Sequence, residues 1–139
     1  MSAVVRAAGE GDVPAVLELW SDARSGHAST PDSAVAVQRL LADRPDALLV
    51  ASLDDAIVGA LIAASDGWRG NMYRLAVHPE HRRRGVALAL VREGERRLGT
   101  AGIVRITALV AHDDAVARRL WATVGYELDA EIGRFVRNL

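Results

Sequence analysis

Cysteine is absent from the 139 residues, which excludes disulfides, thiolate metal sites and a cysteine nucleophile together. No uninterrupted apolar stretch approaches the ~20 residues that a membrane-crossing helix needs. The opening Met1-Ser2-Ala3-Val4-Val5-Arg6 has no basic segment leading into an apolar core, so no secretory leader is expected and a cytoplasmic location is. Charge of either sign is also not in excess. Lys+Arg is 17 against Asp+Glu 18, a formal net charge of -1, which leaves no wide basic surface for a nucleic-acid backbone and argues against such a partner. The histidines His27, His78, His81 and His112 do not form a ligand set; His78 and His81 flank a proline turn, and no metal is expected. Neither internal repeats nor a linker appear, so residues 1–139 read as one domain, large enough to bury about two thirds of the surface of the unfolded chain.

Half of the residues are hydrophobic and a quarter charged, and their spacing predicts a mixed sheet covered by helices. Val4-Val5-Arg6-Ala7 reads as an opening strand. Asp12 then caps a helix in which Val13, Val16, Leu17 and Trp20 recur at i, i+3, i+4 and i+7. Ser25 to Thr30 is a polar loop, and Thr30-Pro31 supplies a capping hydroxyl followed by proline at the first helical position. Val37, Leu40 and Leu41 give that second helix its apolar side until Arg44-Pro45 ends it. These two helices are expected to wall a substrate cleft.

Residues 47–53 and 56–64 are apolar runs joined at Asp54-Asp55, a hairpin signal. A second hairpin turns through Ser65-Asp66-Gly67-Trp68-Arg69-Gly70, and Asn71 to His78 returns as a strand. The following helix packs through Ala87, Leu90, Val91, Gly94 and Leu98, with Glu93 and Arg97 spaced for an i,i+4 pair, and Gly99 and Gly102 close it. Residues 103–110 form a strand parallel to the previous one across this helical crossover. Asp113 or Asp114 caps a helix ending at Gly125, and Tyr126-Glu127-Leu128 with Ile132 to Val136 makes a final antiparallel pair.

The chemistry concentrates in residues 75–91. There an apolar strand breaks at Pro79, turns through Arg82, Arg83 and Arg84, and starts a helix at Gly85. The first N–H groups of a helix lack intrahelical partners and sit at the positive end of the dipole, and a glycine lets a phosphate approach the backbone without meeting a Cβ. This is an anion site, with the arginines adding fixed positive charge.

The order Arg82-x-x-Gly85-x-Ala87 after Leu75-Ala76-Val77-x-Pro79 resembles the pyrophosphate motif of the GNAT superfamily, the acetyl-CoA-dependent N-acetyltransferases. A second block, Asp114-Ala115-Val116-Ala117-Arg118-Arg119-Leu120-Trp121 followed by Gly125-Tyr126, is similar to that family's Asn-x-x-Ala-x-x-Leu-Tyr and Gly-Phe/Tyr pattern. The segment Asp66-Gly67-x-Arg69-Gly70-x-x-Tyr73-x-Leu75-x-Val77 resembles a bacterial subgroup of small members. The resemblance implies a single-domain α/β (α+β) fold. Its central sheet would be mixed, mostly antiparallel and twisted, with about six to seven strands, flanked by four helices and splayed at the acyl-CoA site.

Under this resemblance the cofactor-binding residues are Leu75, Ala76, Val77, Arg82, Arg83, Arg84, Gly85, Val86, Ala87, Leu88, Asp114, Ala117 and Trp121. The Val77 backbone N–H would stabilise the oxyanion, and Asp66, Arg69 and Tyr73 would contact the acceptor. The implied activity is acetyl transfer from acetyl-CoA to a primary amine, on a small molecule or on a peptide or protein, by direct attack in a ternary complex. The chain would be a monomer or homodimer, without a membrane or metal requirement. Two positions depart from the family. Asn71 stands six residues before Val77, where a glutamate base is usual, and Trp121 replaces a tyrosine acid. Neither side chain exchanges a proton near neutral pH. Asn71 is left to orient a water, the base is unassigned, and the alternative is a non-catalytic acyl-CoA-binding regulatory module.

Overall fold

The structure, a computed structural model, describes residues 2–23 and 32–139. In chain order it contains β1 (Val4–Ala7), a 3₁₀ turn (Glu10–Asp12), α1 (Val13–Ala23), α2 (Ala34–Asp43), β2 (Leu48–Leu53), β3 (Ala56–Ser65) and β4 (Gly70–Val77). A second 3₁₀ turn (Pro79–His81), α3 (Val86–Thr100), β5 (Ile106–Ala108) and α4 (Ala115–Thr123) follow. The sheet order is β1-β2-β3-β4-β5. The first three pairings are antiparallel, while β4 and β5, joined across α3, run parallel.

Both faces of the sheet are covered, because side chains alternate along each strand and both sets are apolar. Leu48, Val50, Ala60, Ile62 and Ala76 pack with Val13, Val16, Leu19 and Trp20 of α1 and Val37 and Leu41 of α2. Leu49, Ala51, Leu61, Ala63 and Met72 face the other way, onto Val86, Leu90, Val91 and Leu98 of α3 and Trp121 of α4. Helix α3 lies close to the sheet at two glycines: a Cβ on Gly59 would stand 2.7 Å from Val86 Cγ1, and one on Gly94 2.7 Å from Met72 Cε. At the start of α3 the buried residue is Val86 rather than Ala87, which is half-buried.

Several expected boundaries move. Asp12 does not cap α1 forwards; its carboxylate reaches back to the Gly9 N–H at 2.8 Å and pairs with Arg6 at 2.7 Å. Helix α2 is capped by Ser33, whose hydroxyl accepts from the Ala36 N–H at 3.1 Å. Thr30 and Pro31, the expected start, lie outside the described residues, as do the 25–30 loop and His27. The β2–β3 turn is as expected, with Asp54 and Asp55 both at positive φ (51° and 66°), the conformation of a two-residue type I′ hairpin.

Helices α3 and α4 end in the same motif. The Ile103 N–H donates to the Leu98 carbonyl at 3.0 Å and the Gly102 N–H to Gly99 at 3.0 Å, with Gly102 at φ 89°. In α4 the Tyr126 N–H donates to Trp121 at 2.9 Å and the Gly125 N–H to Ala122 at 3.1 Å, with Gly125 at φ 103°. This is the Schellman closure, completed in α4 by the Trp121 and Tyr126 rings meeting edge to face at 5.0 Å. It bears on the late start of β5, which covers Ile106–Ala108 instead of 103–110: Ile103 is spent on ending the helix before it.

Among the described residues the sheet has five strands, not the six or seven expected. Among the described residues, the segments 126–128 and 132–136 form no strand. Leu128, Ile132 and Val136 are largely exposed and Phe135 is fully so; without an apolar face to settle on, alternating residues do not hold a strand pair.

Candidate active site

Strands β4 and β5 pair only over Gly70↔Ile106, Asn71↔Thr107 and Met72↔Ala108. A last bond, from the Leu109 N–H to the Met72 carbonyl at 3.3 Å, marks the fork. Beyond it β4 continues to Val77, and among the described residues no strand lies against that edge. The result is a wedge-shaped gap floored by Tyr73 to Val77.

A bulge sets which groups face the gap. Tyr73 lies opposite Ile62 and Ala76 opposite Ala60, so Arg74 and Leu75 together oppose the single residue Leu61. Arg74 sits at φ 55°, a left-handed conformation that costs a side-chain-bearing residue about 1–2 kcal/mol. Before the bulge the even-numbered Met72 points its carbonyl at β5. After it the even-numbered His78 donates its N–H to Val58 of β3 at 2.8 Å. Backbone groups alternate sides along a strand, so it is the odd residues Leu75 and Val77 whose N–H groups turn to the gap. Their side chains pack towards α3, while Ala76 and Tyr73 pack towards α1 and α2.

At the open end of the gap, His78 and the Pro79–His81 turn lead to Arg82, Arg83 and Arg84, all exposed. The Arg82 guanidinium folds back on the Val77 carbonyl at 3.4 Å. Gly85 is the N-cap of α3 at φ 78°, with no side-chain cap, and beyond Gly85 itself and its two chain neighbours no described atom lies within 4 Å of where its Cβ would stand. The N–H groups of Val86, Ala87 and Leu88 therefore open onto an uncovered, left-handed glycine turn. That cradle fits a pyrophosphate, and the unpaired β4 edge fits the amide-bearing arm that a CoA ester carries behind it.

The second block is placed differently. The Asp114 carboxylate caps its own helix, accepting from the Ala117 N–H at 3.0 Å. Trp121 is 7% exposed and belongs to the core under the sheet. Tyr126 donates its hydroxyl to Glu95 at 2.8 Å; burial first, and that bond second, raise its pKa above the ordinary value of 10.0, so it holds its proton. Asn71 sits in the paired part of β4, between Ala64 and Thr107. Asp66 and Arg69 lie in the β3–β4 turn, separated from Val77 by the length of β4, on the order of 23 Å at ~3.3 Å per residue. The Asp66 carboxylate accepts the Trp68 and Arg69 N–H groups at 2.8 Å each. Those bonds, Arg69 first, hold its pKa below the ordinary range; it shapes its own turn.

His78, Glu80 and His81 bring one ligand atom each within 4.8 Å of one another, a convergence not expected from the sequence. The His78 Nδ1 already accepts the Glu80 N–H at 3.2 Å, and the two imidazoles meet edge to face at 5.6 Å. On the α1 side, His78 borders a groove of about 460 Å³ carrying Glu18, Asp22 and Asp55 beside the Arg6–Asp12 ion pair.

The sequence profile of the acetyltransferase (GNAT) family matches residues 13–126. The chain belongs to that family. An acetyltransferase of Photorhabdus laumondii is 32% identical over 123 residues, covering 88% of this chain and 85% of its own. Among solved structures, this GNAT chain superposes on Ard1 from Thermoplasma volcanium with a TM-score of 0.82 at 17% identity, covering 94% of this chain and 86% of the other. AAC(6')-Iy, solved with the bisubstrate analogue CoA-S-monomethyl-acetylneamine, gives 0.79 at 19% identity over 100% and 99% of the two chains. The likeness to these two extends to the fold of the GNAT chain. No described helix is long and apolar enough to cross a membrane.

Proposed function

We propose that the chain transfers an acetyl group from acetyl-CoA to a primary amine. The observation that carries this reading is the uncapped, uncovered Gly85 turn at the end of an unpaired β4 edge. Backbone N–H groups of Val86, Ala87 and Leu88, with Arg82, Arg83 and Arg84 around them, take the pyrophosphate. The β4 edge from Leu75 to Val77 takes the pantetheine arm, and the Val77 N–H takes the thioester oxygen, where its bond strengthens as charge develops. The neutral amine forms its C–N bond at the thioester carbon, the C–S bond breaks, CoA leaves as thiolate, and the amine proton goes to solvent. The acidic groove beside His78 has the sign that attracts a protonated amine and supports an amine acceptor. That AAC(6')-Iy was solved with a CoA-linked amine analogue supports the same class.

The test has two parts. Acetyl-CoA at a hundred times its dissociation constant should stabilise the fold by about 2.7 kcal/mol, CoA nearly as much and dephosphorylated pantetheine far less; an unmoved melting curve at millimolar acetyl-CoA ends the reading. Release of free CoA thiol with a panel of amines and peptide N-termini then separates catalysis from binding alone. Trp121 and Asn71 stand where the resemblance puts an acid and a base, and neither side chain exchanges a proton near neutral pH, which supports, as second reading, an acyl-CoA-binding module that releases no thiol. With a lysine-like acceptor, pKa about 10.4, the rate should climb nearly tenfold per pH unit from about 6.5 to 8.5, and a plateau near pH 7 would reveal a tuned base.

A further inference from the structure

The bulge that turns Leu75 and Val77 to the gap is held from the opposite face of the sheet. Trp20 of α1, 4% exposed, donates its indole N–H to the Arg74 carbonyl at 3.0 Å. The Arg74 guanidinium reaches Asp32, just before α2, at 2.9 Å, with both side chains largely buried (20% and 14% exposed). Arg74 is thus fixed through its backbone and through its side chain, both times by the α1–α2 layer. Inside a strand, away from a turn, a side-chain-bearing residue at φ 55° is strained and is held there by the contacts around it. Relaxing Arg74 towards ordinary strand geometry removes the bulge, and with it the parity shift. The even residues would then face the gap, and the Val77 N–H would turn to β3.

We infer that Trp20 and Asp32 are positioning residues, which set the direction of the Leu75 and Val77 N–H groups by clamping Arg74 in its left-handed conformation. Resting on the acetyl-transfer reading, this assigns the α1–α2 layer a role in aligning the donor as well as in walling the acceptor side. Neither residue touches the reacting atoms.

The experiment is a rescue series. Trp20→Phe keeps most of the aromatic area and deletes the indole donor; it should lower kcat about tenfold while the acetyl-CoA dissociation constant, set mainly at the Gly85 turn, stays within about threefold. Adding Arg74→Gly, which adopts positive φ without strain, should restore most of the loss, whereas adding Arg74→Ala, which loses the same ion pair but keeps a Cβ, should not. Amide chemical shifts of Leu75, Ala76 and Val77 should move in Trp20→Phe and return with the glycine, and this readout needs no turnover. If Trp20→Phe does not fold, Arg74→Gly against Arg74→Ala with Trp20 intact tests the same clamp, the alanine being the slower enzyme. Unmoved amides, or glycine and alanine variants that behave alike, overturn the inference. A wild-type chain that transfers no acetyl group, with amides that still respond, overturns the acetyl-transfer reading alone.

Discussion

Helices α3 and α4 finish alike and begin in opposite ways. Each closes on a left-handed glycine with the same pair of backbone bonds. At their starts, α4 carries Asp114, whose carboxylate fills the space over its first N–H groups, while α3 carries Gly85, which fills nothing. A carboxylate at a helix start is an internal anion, so α4 has already satisfied what α3 leaves open. Electrostatically the two ends are the same device; the difference between a structural helix and a binding helix is whether the chain supplies the anion itself.

The two helix starts differ most in consequence at Gly85. Asparagine tolerates positive φ better than other side chains and would place its amide in the open space over the N–H groups. Gly85→Asn is expected to fold and to weaken acetyl-CoA binding by about 10²-fold, roughly 2.7 kcal/mol, measured by calorimetry. Gly85→Val adds backbone strain at φ 78° and is expected to lose stability as well, so the asparagine variant is the cleaner one. Unchanged affinity in a folded Gly85→Asn protein would show that the turn is no phosphate cradle.

Next in size is Trp121, the buried residue of α4. Trp121→Phe should cost roughly 1–2 kcal/mol of stability through lost core volume, read from the urea midpoint, with turnover kept within about tenfold because the indole packs in the core. A loss of turnover beyond about 10² in the folded variant would show that the indole N–H has a catalytic contact.

Removing the internal anion of α4 is a smaller change. Asp114→Ala should lower stability by about 1 kcal/mol, a few degrees in melting temperature, and leave acetyl-CoA affinity within about threefold, because the pyrophosphate belongs to the other helix. A large loss of affinity would mean that both helix starts serve the ligand.

The smallest effect concerns what steadies α3 in place of a side-chain cap. Glu93 pairs with Arg96 at 2.6 Å and Arg97 at 3.1 Å, and the hydrogen bond from Arg96, the largest cause, holds its pKa at about 2 against an ordinary 4.5. A carboxylate lowered in the folded state stabilises above its unfolded pKa and loses that contribution as pH falls through the folded one. Arg96 is 63% exposed, so the contribution is a few tenths of a kcal/mol. Glu93→Gln should be slightly less stable than wild type above about pH 4.5 and indistinguishable near pH 2. A difference that survives undiminished at pH 2 would have another origin.

The fold is legible in the sequence where one residue type forces one geometry. Gly85 after three arginines, the paired Asp54 and Asp55, and Gly102 and Gly125 as helix ends each depend on a backbone conformation that few residues adopt. It is not legible where partners far apart in the chain decide. Trp20 reads as one more apolar position at helical spacing; its bond to Arg74 spans 54 residues, and nothing local distinguishes a packing indole from a clamping one. The bulge was equally hidden, since register is a property of two strands and Arg74 carries no mark of positive φ. At 126–136 the alternation was real, but a strand needs a neighbour as well as a pattern.

The brief contact between β4 and β5 bears on how the molecule assembles and breathes. Strands β2, β3 and β4 follow one another through short turns, so their pairings close small loops, whereas β5 must come back across all of α3 to make three residue pairs. Loop closure of that length is slow and those few bonds hold weakly. The amides of Ile106 to Ala108 should therefore be among the first in the sheet to exchange with solvent deuterium and among the last to gain protection during refolding. The fork that would admit a ligand would then also be the frontier of local unfolding, and a molecule lodged in it would slow deuterium uptake at β5 before it altered the meander behind.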